Sequence, residues 1–260
     1  MSERAFGVAS GLDPEVAAPL AARCEELGYA SIWSNDTPLA SGLDTLADFA
    51  KGSDELDLGV GVMALDRHEP AEINERIESL GLDRGRLWIG VGAGFSKRPL
   101  TTMREALPIL RDAIPDVRLV LAAMGPKMSV LAGTGYDGAF LNWITPEFAA
   151  GARESVHSGA AEAGRQPPPV LGYVRTAVGD DAGERLAKEE AFYRDLHDGY
   201  RRQFARLDQP VGTVGVAAPD AQTANAELDH YDALDVVVVR ALASATLESM
   251  GAVAAAAAPT

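Results

Sequence analysis

The chain has 260 residues, with 23 Lys and Arg against 38 Asp and Glu, giving a net charge of −15. That balance excludes the cationic surface by which proteins displace counterions from nucleic acid or settle on anionic membranes. Apolar residues make up 47% of the chain, which suits a globular fold, and the single cysteine excludes an internal disulfide and fits a reducing cytoplasm.

Short apolar runs alternate with longer amphipathic segments. Ala5–Ala9 reads as a first strand. Pro14–Leu27 then carries Val16, Leu20, Cys24 and Leu27 at helical spacing and ends at Gly28, a natural C-terminal glycine. Tyr29–Trp33 is a second strand and Leu43–Lys51 a short helix. Leu56–Leu65 is a third strand, followed by a helix over Pro70–Leu80 with proline in its first turn. Leu87–Val91 and the helix Thr101–Ala113 come next, then Val117–Ala122 and a helix opening at Pro126–Gly133. Gly138–Leu141 precedes a helix over Pro146–Ala163. After the linker Arg165–Pro169 come the strand Val170–Val178 and a long charged helix, Asp181–Leu207. Gln209–Ala218 reads as irregular and Asp220–Leu228 as helical. Asp235–Val239 is β-branched throughout, as a strand buried on both faces should be. A last helix runs from Thr246 to Ala256, and its alanine run, Ala254–Ala258, reads as a fraying end.

Eight strands, each followed by a helix, predict parallel pairing with right-handed crossovers. The expected fold is a closed (β/α)8 TIM barrel forming a single domain over residues 1–260. An open doubly wound sheet is the alternative. The N-terminus lacks the pattern of a signal peptide, and no run of about 18 apolar residues suggests a membrane span.

In such barrels the chemistry sits where the strands end. Behind the second strand stand Asn35, Asp36 and Thr37. Behind the third stand Asp66 and His68, and Asp13 follows the first. Two glycine clusters, Gly59-x-Gly61 and Gly90-x-Gly92-x-Gly94, lie at strand ends. Close approach of a flat ligand to the backbone explains such clusters; so does tight packing or a bulge. The second lacks the spacing and the acidic partner of a dinucleotide fingerprint. Met124-Gly125-Pro126 is the best anion site, since a glycine precedes a helix N-terminus and Lys127 adds a cation. The four histidines are scattered and imply no metal centre. His157 and His197 read as solvated helix residues, and Cys24 as an inert core thiol. Few acids, bases or nucleophiles reach the mouth, so a cofactor is expected to bring the chemistry.

The segments LAARCEELGYASIWSNDTPL, DLGVGVMALDRHEPAEINERIESLGLDRGRLWIGVGAGF and VLAAMGPKMSVLAGTGYDGAFLNWITPE resemble, in order and spacing, the luciferase-like flavin-dependent oxidoreductases. The resemblance is clear from Phe6 to Ala150 and weak beyond. It implies a barrel that binds FMN or the deazaflavin coenzyme F420 at the C-terminal face and performs hydride transfer or oxygen insertion. It implies a non-proline cis peptide at Gly61–Val62 backing the ring in the deazaflavin branch. It also implies a phosphate grip by the amides of Met124 and Gly125, and a ring-flanking loop of Gly92, Ala93 and Gly94. Asn35, Thr37, Asp66 and Asn142 then face substrate or the polar edge of the ring. The Gly61–Val62 pair favours F420, whose anionic tail Lys97, Arg98 and Lys127 would hold.

Two departures matter. Thr37 stands where many members carry a histidine, and Phe95 where one branch has an acidic proton donor. Asp36, Asp66 and His68 remain as candidate acids, with Thr37 beside them. A non-catalytic relative and a flavin-free barrel enzyme binding a phosphorylated metabolite are the rival readings. The partner expected is a small-molecule substrate. Family members are often dimers, so a homodimer is the implied assembly, with an exposed apolar face on the second or third helix as its surface.

Overall fold

In a computed structural model of the chain, which describes residues 2–259, strands and helices alternate from end to end. The strands are β1 (Glu3–Val8), β2 (Ser31–Ser34), β3 (Asp57–Ala64), β4 (Leu87–Gly92), β5 (Arg118–Ala122), β6 (Gly138–Asn142), β7 (Val170–Val178), β8 (Val216–Ala218) and β9 (Val236–Ala241). The helices are α1 (Pro14–Glu26), α2 (Gly42–Phe49), α3 (Pro70–Leu80), α4 (Pro99–Ala113), α5 (Pro126–Gly135), α6 (Pro146–Glu162), α7 (Ala182–Leu196), α8 (Asp198–Leu207), α9 (Ala221–Asp229) and α10 (Leu247–Ala256). All strand pairs are parallel. β1 to β7 and β9 close into an eight-stranded barrel through the β6–β7, β7–β9 and β9–β1 pairs. The short β8 lies outside the barrel, against the far end of β7 where β6 has stopped.

Local rules place most boundaries. Asp13 caps α1 by accepting from the Glu15 amide, and Gly28 follows that helix with φ +82°. Glu69 and Glu72 form a reciprocal capping box around Pro70 at the start of α3. Proline also opens α4, α5 and α6.

Alternate residues on each strand point inward. Trp33, Phe140, Tyr173, Val120, Leu171 and Val238 fill the middle of the barrel as a packed core, not a pore. The Trp33 and Phe140 rings lie 4.7 Å apart, as do Phe140 and Tyr173. The other face of each strand packs on the helices, where Cys24 is buried and its thiol is held protonated by desolvation.

Three expectations change. Asp181–Leu207 is two helices, α7 and α8, because His197 is extended between them and its Nδ1 accepts from the Gly199 amide at 2.9 Å. Gln209–Ala218 contains β8. The alanine-rich C-terminus is packed, not frayed: Ala254 and Ala257 are buried, and Tyr29 donates to the Ala254 carbonyl at 2.7 Å. Among the described residues, α2 and α3 carry none of the exposed large apolar side chains, which are Leu39, Phe95, Ile109, Phe192, Leu196, Val211 and Leu247.

Candidate active site

The strand ends form a mouth with two different halves. On the β2–β6 side, Asn35, Gly61, Val62, Ala93, Ala122, Met124, Gly125 and Asn142 are only half-buried. From the end of β6 across β7 and β9 the floor is covered by α7 and α8.

The open half is shaped by a bulge. The β3–β4 register shifts between Val60 and Met63, and the Gly61–Val62 peptide inside that shift is cis. Gly90 and Gly92 lie under it, with the Val62 methyls 2.7 and 3.2 Å from where their Cβ atoms would stand. After β4 the chain turns at Gly94 (φ +56°), which packs on the Asp66 carboxylate; that carboxylate accepts from the Phe95 amide at 2.9 Å. Phe95 itself is 75% exposed at the rim.

The end of β5 leads to Gly125, directly before α5. The Met128 and Ser129 amides bond back to the Gly125 carbonyl, so the helix is closed from its first turn. Arg206 of α8 donates to the Met124 carbonyl and to Gln203, and its guanidinium lies 3.5 Å from the position a Cβ on Gly125 would take. A helix N-terminus and a guanidinium therefore meet at Gly125, a favourable setting for an anion.

The sealed half is built by α7 and α8. Gln203 is fully buried and donates to the Trp143 carbonyl at 2.8 Å. Asn142 donates to the Tyr200 hydroxyl at 3.3 Å and accepts from Arg175. Trp143, with φ +52°, packs under Tyr193 and Phe204. The buried carboxylate of Glu190 takes Arg194 and the amides of Gly212 and Val214, which anchors α7 to the segment before β8. Beneath this cover lie Arg175 and Arg240, register partners on β7 and β9, only 3% and 6% exposed.

The third cluster sits between the second and third loops. Asp36, with a side chain 1% exposed, accepts from His68 Nε2 at 2.7 Å, from Arg67 at 3.0 Å and from the Gly42 amide at 3.0 Å. His68 is one-quarter exposed toward the rim, and its Nδ1 makes no hydrogen bond among the described residues.

Asp36 and His68, named from separate loops, are thus in contact, while Asp66 is spent on holding the β4–α4 loop. Thr37 accepts from the Ala40 amide and lies 3.5 Å from Ser10, and Asn35 accepts from the Ser10 amide. Ala93, Met124, Gly125 and Asn142 are half-buried at the mouth and Gly94 is exposed there, while Gly92 is buried under Val62. Gly59 does not open it: its missing Cβ leaves room for the Trp33 ring, 2.2 Å from that position. Tight packing is the reason for that glycine. Asp13 serves as a helix cap. Lys97, Arg98 and Lys127 are exposed at the rim, and Arg206 is the cation beside Gly125. His197 is not solvated on a helix face but packs between Phe95, edge-on, and Tyr200.

A family model described as luciferase-like monooxygenase matches residues 101–255. The chain belongs to this family. The match takes in the C-terminal half, where the sequence resemblance was weak, and overlaps the earlier segments at residues 101–150. Among the relatives of this luciferase-like chain is a 5,10-methylenetetrahydromethanopterin reductase of Methanolobus tindarius, 26% identical over 197 residues. That match covers 62% of this chain and 60% of the relative, so the chain is matched to somewhat more than half of the relative's length. The same fold is found in an F420-dependent secondary alcohol dehydrogenase solved with an F420–acetone adduct. Its TM-score is 0.73 at 16% identity, covering 98% of this chain and 99% of that one. It is also found in the oxygenating constituent of 3,6-diketocamphane monooxygenase from Pseudomonas putida, solved with FMN. There the TM-score is 0.68 at 14% identity, covering 100% and 99%.

Among the described residues of this luciferase-like chain, no helix is long and apolar enough to cross a membrane. Among the described residues no group of three or more His, Cys, Asp and Glu is placed to hold a metal ion. Sequence reasoning missed Arg206, Gln203, Tyr200 and Arg240. Arg240 had a signal: it ends a valine run at an inward-facing position, where a charge is out of place.

Proposed function

We propose that the chain is an oxidoreductase that uses a phosphorylated deazaflavin or flavin, F420 or FMN, to act on a small organic substrate. The observation that carries this reading is the open half of the mouth. A bulged, glycine-lined floor lies half-exposed beside a helix N-terminus and the Arg206 guanidinium. Beneath Gly61 the Tyr173 hydroxyl is buried without a hydrogen-bond partner. An apolar floor left half-open over such a group suits a flat ring with a polar edge.

In this reading Gly61 and Val62 support the ring, and Gly92, Ala93 and Gly94 flank it. The Met124 and Gly125 amides take the phosphate with Arg206. When bound, such a cofactor supplies hydride transfer or activation of oxygen. The protein's part is to position and to manage protons. Asp36 fixes the His68 ring through Nε2 and leaves Nδ1 facing the rim, where it can give or take a proton. Asp36 is thus a positioning residue and His68 the candidate acid or base, in place of the histidine that Thr37 replaces. Asn35 and Thr37 border the same space, and Asp66 keeps the flanking loop in place.

Turnover tests the reading. The loaded protein, given a panel of alcohols, aldehydes and ketones with and without oxygen, should change the oxidation state of the cofactor with at least one of them. Binding without turnover across the panel would instead favour a non-catalytic relative.

A further inference from the structure

The mouth described above leaves two positive charges unexplained. Arg175 and Arg240 lie side by side on neighbouring strands, both on the inward face and both buried. Among the described residues no carboxylate comes within 4 Å of either guanidinium. Arg175 donates to Asn142 and stacks over Trp143 at 4.2 Å, and its Nε has no partner. Arg240 makes one hydrogen bond, to the Ala241 carbonyl. Tyr173, Tyr193 and the half-buried Glu189 of α7 are the other titratable groups facing Arg240. Burial, and then the charge of Arg175, pull the Arg240 guanidinium down from its ordinary range. Lack of carboxylates is no explanation in a chain with 38 of them. Two like charges buried together without a counterion raise the free energy of the fold. The guanidinium fork matches a carboxylate or phosphate.

We infer that Arg175 and Arg240 receive the anionic end of the substrate, a carboxylate or a phosphate ester, in the half of the mouth sealed by α7 and α8. The inference rests on reading the mouth as the catalytic site, and it adds the substrate class. The phosphate grip at Gly125 is built on the end of β5 and on Arg206, whereas this pair stands on β7 and β9 with β6 between; cofactor affinity in the variants below tells the two anion sites apart.

Thermal unfolding of the full chain tests it, with succinate and inorganic phosphate as probes. Arg206→Met serves as the background, because it disables the grip at Gly125. In that background one or both anions should raise the Tm, by roughly 5–10 °C at about 100 times Kd. Response to succinate alone marks a carboxylate substrate, and response to phosphate alone a phosphate ester. Arg240→Met and Arg175→Met should abolish the response, and without anion should unfold no lower than their parent, since an uncompensated charge has gone. In otherwise wild-type protein both should bind F420 or FMN within about twofold of the parent. Anion responses that persist in these variants would overturn the proposal. So would variants that unfold lower and a parent indifferent to anions, which would make the pair structural. A tenfold loss of cofactor affinity in either variant would also overturn it, by giving the pair to the cofactor. If no form binds a cofactor, the proposed function falls, while the anion response still decides this inference.

Discussion

A methyl group at Gly59 has nowhere to go, because the Trp33 indole occupies its place. The ring is held between Trp88 and Phe140 and bonds Ser31, so it cannot swing away. Overpacking of this kind costs ~1–3 kcal/mol. Gly59→Ala should therefore lower the Tm by roughly 3–10 °C in thermal unfolding. The Asp36–His68 contact makes a different prediction. Asp36→Asn keeps the shape but weakens the hold on the imidazole. It should reduce kcat at least tenfold while cofactor affinity stays within about twofold, a split that simple loss of folding would not give. Both residues were legible in the sequence as polar groups after strands. Their contact was not, because it joins two loops 32 residues apart that the β2–β3 pairing brings side by side. Gly59 shows the converse: a strand-end glycine looks the same in sequence whether it faces a ligand or a tryptophan.

The α7–α8 unit covers part of the mouth. Its joint is His197, whose Nδ1 must be unprotonated to accept from Gly199. Burial, and next the charge of Arg202, lower the His197 pKa below its usual value. The neutral ring is thus favoured in the fold. Its contribution is complete above the ordinary imidazole value of about 6.5 and fades as pH falls through the lowered native value. Amide hydrogen exchange in α8 should accelerate on acidification below about pH 6.5, relative to exchange in α3. His197→Asn, which keeps a capping acceptor without titrating, should flatten that dependence. A second test of the unit is Gln203→Leu. It leaves the buried Trp143 carbonyl without its donor, which costs ~1–3 kcal/mol, and should raise α8 exchange at every pH. The sequence displayed nearly every strand and helix, since valine-rich runs and proline-led helices alternate so regularly. It concealed this joint because helical periodicity continues across it, and a capping histidine is indistinguishable from a solvated one until its acceptor role is seen.

At the scale of the whole molecule, the barrel divides its labour by side. The N-terminal end is closed by side chains such as Arg118, bidentate to Asp57 and stacked at 4.4 Å over Trp88. The C-terminal end is left unfinished, with a half-open floor and unpartnered polar atoms. That division was legible from the strand-helix count together with the rule that such barrels react at their C-terminal face. The grip at Gly125 was legible as a glycine before a proline-led helix, but the Arg206 that completes it arrives from α8 across a long sequence separation. The purified chain should be titrated with F420 and with FMN, following fluorescence, alongside Arg206→Met and the two cofactors stripped of phosphate. F420 or FMN should bind saturably at one site per chain. Arg206→Met should lose affinity ten- to hundredfold, in line with ~1.5–3 kcal/mol for a hydrogen bond to a charged group. No further loss should follow when the variant meets the dephosphorylated form. Binding of neither cofactor, or binding indifferent to both the phosphate and Arg206, would overturn the proposed function.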